Sequence, residues 1–220
     1  MRLCPINEEN NVSQPKRALI VIDVQNEYFT GNLRIAYPPV QQSLANICRA
    51  MDGARAASVP VVVVQHLGSE TSPIFARGSA GAELHPEVAR RPRDCLIEKG
   101  RTSALDGTSL GDWLRQRDID TLTVAGYMTH NCDNATVLHA AREGWKLELL
   151  HDATGSLPYA NAAGSASAEE IHRVYTVVMH TGFAAVATTA EWLAAIEAGL
   201  PLPVDGILHS NRQALEQKAD

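Results

Sequence analysis

Three residues of this chain have the side chains that covalent catalysis needs: a thiol at Cys132, a carboxylate at Asp23 and an amine at Lys99. Their places are alike. Asp23 closes the apolar run 18–24, Lys99 follows the run 95–98, and Cys132 comes after the run 121–125, in the first turn of a helix that the pattern starts near Asn131. A thiol at a helix N-terminus faces unpaired N–H groups and the positive end of the dipole, which should lower its pKa. A nearby ammonium would strengthen that effect, and a carboxylate could accept the thiol proton as the sulfur attacks. The turn 126–131 offers backbone N–H groups to an oxyanion. Each residue also fits a plainer role: a turn cap for Asp23, a solvated charge for Lys99, a small buried hydrophobe for Cys132.

The elements that must position these groups are legible in outline. Runs rich in Val, Ile and Leu at 18–24, 59–64, 121–125 and 147–150 suit strands buried on both faces, and weaker runs at 95–98 and 184–187 bring the candidate strands to six. Helical patterns at 40–57, 109–116, 131–143, 168–178 and 190–198 alternate with them. That alternation predicts an α/β fold, a parallel sheet with helices on both sides, because parallel neighbours need a crossover and the crossovers here are helical. In such sheets ligands bind beyond the carboxyl ends of the strands, where Asp23, Lys99 and Cys132 all fall. Gly144 reads as a helix stop, and Ser167 with Glu170 as a capping box. The polar, Gly- and Pro-rich segment 68–93 reads as a functional or covering loop. The stretch after Leu200 reads as an appendage used in subunit packing.

Composition narrows the function classes. With 220 residues, 45% hydrophobic and 20% charged, the chain supports one packed domain over 1–220. A net charge of -6 without basic blocks argues against nucleic acid and anionic membranes, leaving a small-molecule substrate as the expected partner. Residues 1–16 have no apolar signal core and the run 18–24 is too short to span a bilayer, so a cytoplasmic location is expected. The cysteines at 4, 48, 95 and 132 lie far apart, showing neither zinc-type pairing nor a disulfide scaffold.

Three ordered motifs go further: Val21-Ile22-Asp23-Val24-Gln25-Asn26-Glu27-Tyr28-Phe29, Glu98-Lys99-Gly100-Arg101-Thr102-Ser103-Ala104-Leu105 and Gly126-Tyr127-Met128-Thr129-His130-Asn131-Cys132. Together they resemble the signature regions of the isochorismatase-like cysteine hydrolases, over about residues 17 to 195. The resemblance implies a catalytic triad of Asp23, Lys99 and Cys132. It also implies a non-proline cis peptide before Met128, an oxyanion hole from the Met128 and Cys132 amides, and a three-layer fold whose six parallel strands run in the order 3-2-1-4-5-6. The activity it implies is cysteine-dependent cleavage of a small amide, ureido or lactam C–N bond through a thioester, without metal or other cofactor, in a homo-oligomer. Gln25, Tyr28, Phe29, His66, Tyr127, His130 and Tyr159 are the candidate substrate contacts. Asp133 departs from the pattern, which commonly has a small aliphatic residue there. Facing inward it would raise the thiol pKa, so it is expected to point away.

Several rivals remain open. Metal-assisted hydrolysis, as in nicotinamidases, calls for an Asp-x-His element where this chain reads Gln65-His66-Leu67-Gly68. Vinyl-ether hydrolysis of isochorismate would not need the cysteine. A Cys–His pair is remote because His139, seven positions on, sits about 10 Å along a helix. A thiol redox or binding protein would lack a nearby resolving cysteine.

Overall fold

The computed structural model describes residues 14–217. Residues 1–13, with Cys4 and most of the polar N-terminal arm, and residues 218–220 at the end of the tail lie outside them. Six parallel strands form the main sheet: β1 Arg17–Ile22, β2 Val61–His66, β3 Cys95–Lys99, β4 Thr121–Tyr127, β5 Lys146–Gly155 and, after the antiparallel hairpin β6 Tyr159–Asn161 and β7 Gly164–Ala166, β8 Ala185–Ala187. Their spatial order is β3-β2-β1-β4-β5-β8, the expected order with the hairpin inserted before the last strand.

The helices are α1 Val40–Ala56, α2 Pro86–Ala89, α3 Leu110–Arg115, α4 Asn134–Arg142, α5 Ala168–His180, α6 Thr189–Ala198 and α7 Ile207–Glu216. Strand β1 shows how the layers form. Leu19 and Val21 pack with α1 and with Trp192 of α6, while Ala18, Ile20 and Ile22 pack with α3, α4 and Met179 of α5. Burial on both faces explains why the strand reads as a continuous apolar run. Charge inside this core is paired: Glu148 of β5 accepts from Arg17 Nη2 at 2.8 Å, Thr123 Oγ1 at 2.7 Å and Trp192 Nε1 at 3.0 Å, far from the carboxyl ends of the strands. The capping box forms, with Glu170 N donating to Ser167 Oγ at 3.2 Å, and Gly144 ends its helix at φ 92°.

Boundaries moved for local reasons. The second strand starts at Val61 rather than Val59, after Pro60, which has no N–H for the ladder. Strand β1 stops at Ile22 because Asp23 takes a left-handed conformation at φ 52°. The hairpin and α7 were not expected. None of the described helices is long and apolar enough to cross a membrane.

Candidate active site

Two backbone features shape the carboxyl end of the sheet, where the three residues lie. Left-handed Asp23 breaks the run of β1, a conformation aspartate tolerates better than most residues and one that clusters at functional sites. Gly126, at φ 123°, lets β4 approach β1 closely: a Cβ there would lie 2.0 Å from the Ile22 carbonyl oxygen. Beyond it the Tyr127–Met128 peptide is cis, and Thr129–Asp133 form a π-helical turn that runs into α4.

Lys99 stands at the end of edge strand β3, in register with His66 of β2. Its side chain crosses the end of β2, and Nζ lies 2.7 Å from Asp23 Oδ2, 3.1 Å from the Arg101 carbonyl oxygen, 3.3 Å from Cys132 Sγ and 3.4 Å from His66 Nδ1. The amine thus joins carboxylate and thiol in one cluster. All three residues are buried: Asp23 is 0% exposed, Lys99 3% and Cys132 7%. Thr136 braces the cluster, accepting from Ala104 N at 3.0 Å and donating to the Cys132 carbonyl at 2.7 Å, which ties the segment after β3 to the thiol's turn.

Electrostatics correct one expectation. The Cys132 thiol is held well above its ordinary pKa, first by burial and then by the Asp23 charge, and Lys99 offsets this only in part. The resting sulfur is therefore protonated, because burial outweighs the ammonium. Burial also raises the Asp23 carboxyl above its usual value, while Lys99 pulls it down. Burial works to lower Lys99, but the Asp23 and Cys132 charges outweigh it and the ammonium is favoured. Burial first, then Lys99, lowers His66 and keeps it neutral, so its Nδ1 can accept.

The candidate substrate contacts divide. Gln25 is buried, and its amide is engaged by backbone: Nε2 donates to the His66 and Ala82 carbonyls and Oε1 accepts from His66 N, strapping loop 68–93 to β2. Tyr28 and Tyr127 are core residues, ring against ring, with the Tyr127 hydroxyl 2.8 Å from Ser43 Oγ. Phe29, His66 and His130 are half-buried and Tyr159 is exposed. His130 bonds Ser156 Oγ through Nδ1 at 3.0 Å and the Tyr159 hydroxyl through Nε2 at 2.9 Å, and burial lowers its pKa to about 4. Tyr175 of α5 packs edge-on against the same imidazole. Sequence reasoning missed Ser156 and Tyr175, which come from segments distant in the chain.

Asp133, expected to point away from the thiol, is wholly buried, and neither of its oxygens has a hydrogen-bond partner among the described residues. The helical spacing 133, 137, 140, shared with the fully buried Val137 and Ala140, carries the signal that it faces the core. Among the described residues no group of three or more His, Cys, Asp or Glu side chains is placed to hold a metal ion.

Comparison with known proteins fits this picture. Residues 17–191 match the isochorismatase domain. A crystal structure of an isochorismatase-type protein from Burkholderia xenovorans LB400 superimposes with a TM-score of 0.93 at 61% identity, over 94% of this chain and 100% of that one. A cysteine hydrolase from Pseudomonas syringae pv. phaseolicola 1448A gives a TM-score of 0.77 at 28% identity, covering 84% and 93% of the two chains. A ureidoacrylate amidohydrolase of Methylobacterium radiotolerans is 29% identical over 84% of this chain and 80% of its own length. The fold, the order of its strands and the extent of the domain match agree that this chain belongs to the isochorismatase family of hydrolases.

Proposed function

We propose that the protein hydrolyses the C–N bond of a small amide, ureido compound or lactam through a thioester on Cys132. The observation that carries this reading is the single buried amine within 2.7 Å of a carboxylate oxygen and 3.3 Å of a sulfur. Asp23 takes the thiol proton as sulfur adds to the carbonyl carbon, and the Met128 and Cys132 amides receive the oxyanion. The C–N bond then breaks, and the departing nitrogen collects the proton from Asp23. Water attacks the thioester, giving its proton to the same carboxylate, and the acid leaves with the thiol restored. Lys99 balances the negative charge throughout. Phe29, His66, His130 and Tyr159 wall the substrate, and the amidohydrolase relative supports C–N chemistry.

The thiol redox alternative fares worse, because it asks for an accessible thiolate and Cys132 is buried and protonated. A panel of small amides followed for ammonia release tests the hydrolase reading: at least one should be turned over. Catalysis needs Asp23 ionised, so activity is expected to fall as pH drops through a limb lying above the ordinary aspartate value, where burial has moved it. A kcat/KM profile with its acid limb at the ordinary aspartate value would argue against Asp23 as the base.

A homo-oligomer is part of the proposal. Val174, Val177 and Val178 of α5 are 49%, 61% and 51% exposed, and α7, ten residues long, buries none of its own. So short a helix is marginal in water without a packing partner. Light scattering should report more than one chain per particle; a species of one-chain mass would contradict it.

A further inference from the structure

The buried cluster holds two carboxyl groups, Asp23 and Asp133, each 0% exposed, but one ammonium, Lys99. The ammonium has three protons, and four acceptors already surround it: Asp23 Oδ2 at 2.7 Å, the Arg101 carbonyl at 3.1 Å, Cys132 Sγ at 3.3 Å and His66 Nδ1 at 3.4 Å. None is left for Asp133. Neither of its oxygens meets a hydrogen-bond donor among the described residues; Asp23 also lacks an aligned donor, but it has the Lys99 ammonium 2.7 Å from Oδ2, and that contact sets the two acids apart. A carboxylate in a dry interior without a partner is costly enough that the group keeps its proton instead. Two acids that share one counter-charge divide the roles, one ionised and one neutral, and the ammonium 2.7 Å from Asp23 decides which is which.

We propose that Asp133 is a positioning residue that stays a neutral carboxylic acid behind Cys132, so that the one negative charge the cluster can hold resides on Asp23, where the thiol proton must go. This rests on the reading of Asp23 as the base and extends it to the residue beside the nucleophile. Charge counting supports it. With Asp133 neutral, the resting cluster is Asp23 carboxylate, Lys99 ammonium and thiol, with no net charge. After the proton moves it is carboxylic acid, ammonium and thiolate, again with no net charge. An ionised Asp133 would leave a surplus negative charge in both states, and the proton would be held on sulfur and Asp23 more tightly. The titratable and charged groups around Asp133 are Asp23 at the end of β1, Tyr28 of the 3-10 turn after it, Lys99 of β3, Tyr127 of β4 and the adjoining Cys132, with neutral His66 on the far side of Lys99. Burial, then the Asp23 charge, pushes the Asp133 carboxyl well above its usual range, and Lys99 offsets this only in part.

Carbon NMR of protein labelled at the aspartate carboxyl carbons tests the proposal without any substrate. Resonances are assigned by their loss in Asp23→Asn and Asp133→Asn. The Asp133 carbon should keep the shift of a protonated acid from pH 5 to 8 while the Asp23 carbon is ionised near neutrality. Asp133→Asn, which replaces one neutral polar group by another, should hold the Asp23 midpoint near the wild-type value, whereas removal of an ionised neighbour would lower it. An ionised Asp133 carbon in that range overturns the proposal, and so does an Asp23 midpoint that falls by about one unit or more in Asp133→Asn, since only the loss of a negative charge would move it so. If the asparagine protein does not fold, Asp133→Ser supplies the assignment and the wild-type Asp133 resonance still decides. A protonated Asp133 in a protein without amide turnover would count against the hydrolase reading and leave this one standing.

Discussion

Cys132→Ala protein is expected to lose at least about 10⁴-fold of its amide turnover while remaining folded, because removing a covalent nucleophile removes the whole two-step route and not one contact among many. The structural cost should be small. Cys132 is a small buried side chain, and alanine leaves the π-helical turn, the Thr136 brace and the Asp23–Lys99 pair in place. Ammonia release from an amide that the wild type accepts, measured beside a circular dichroism melt, separates the two effects. Full turnover by the alanine protein would sink the mechanism. Serine should rescue little, since its hydroxyl holds its proton far more tightly than a thiol and the acceptor, Asp23, is unchanged.

Lys99→Met should damage fold and chemistry together. Both side chains of the Lys99–Asp23 pair are at 0% exposure, 2.7 Å apart. Removing the cation leaves a carboxylate in a closed cleft, a change that costs roughly 3–5 kcal/mol in buried pairs. Denaturant unfolding at neutral pH should show a loss of that order. Adding Asp23→Asn to Lys99→Met removes the stranded charge and should recover most of the stability, yet none of the activity. A single Lys99→Met variant as stable as wild type would show that the pair is not the closed ion pair described above.

How much of this was legible from residues alone follows from what each element buries. The runs 18–24 and 121–125 announced β1 and β4 because a parallel strand covered on both faces shows no alternation, only continuous apolar residues. The hairpin Tyr159–Ala166 was silent, being short and almost wholly exposed, so no burial pattern marks it. Helix α7 was silent for a related reason: none of its residues is buried among the described residues. At the site, the chemistry-bearing residues announced themselves through type and position at strand ends. Their meeting did not. Lys99 reaches Asp23 across β2 from an edge strand, and that depends on the length of one side chain laid over the strand ends, which no periodicity encodes. The thiol's protonation was misjudged because an ammonium can be counted in a sequence, whereas the burial that outweighs it emerges only when the surrounding elements are assembled.

Mass spectrometry of acid-quenched protein, taken during turnover of an accepted amide, addresses the thioester itself. A mass gain equal to the acyl part of that amide, carried by the peptide that contains Cys132 and missing from Cys132→Ala protein, is the predicted result. Steady turnover with no acyl mass on that peptide, undiminished in the alanine variant, would contradict it.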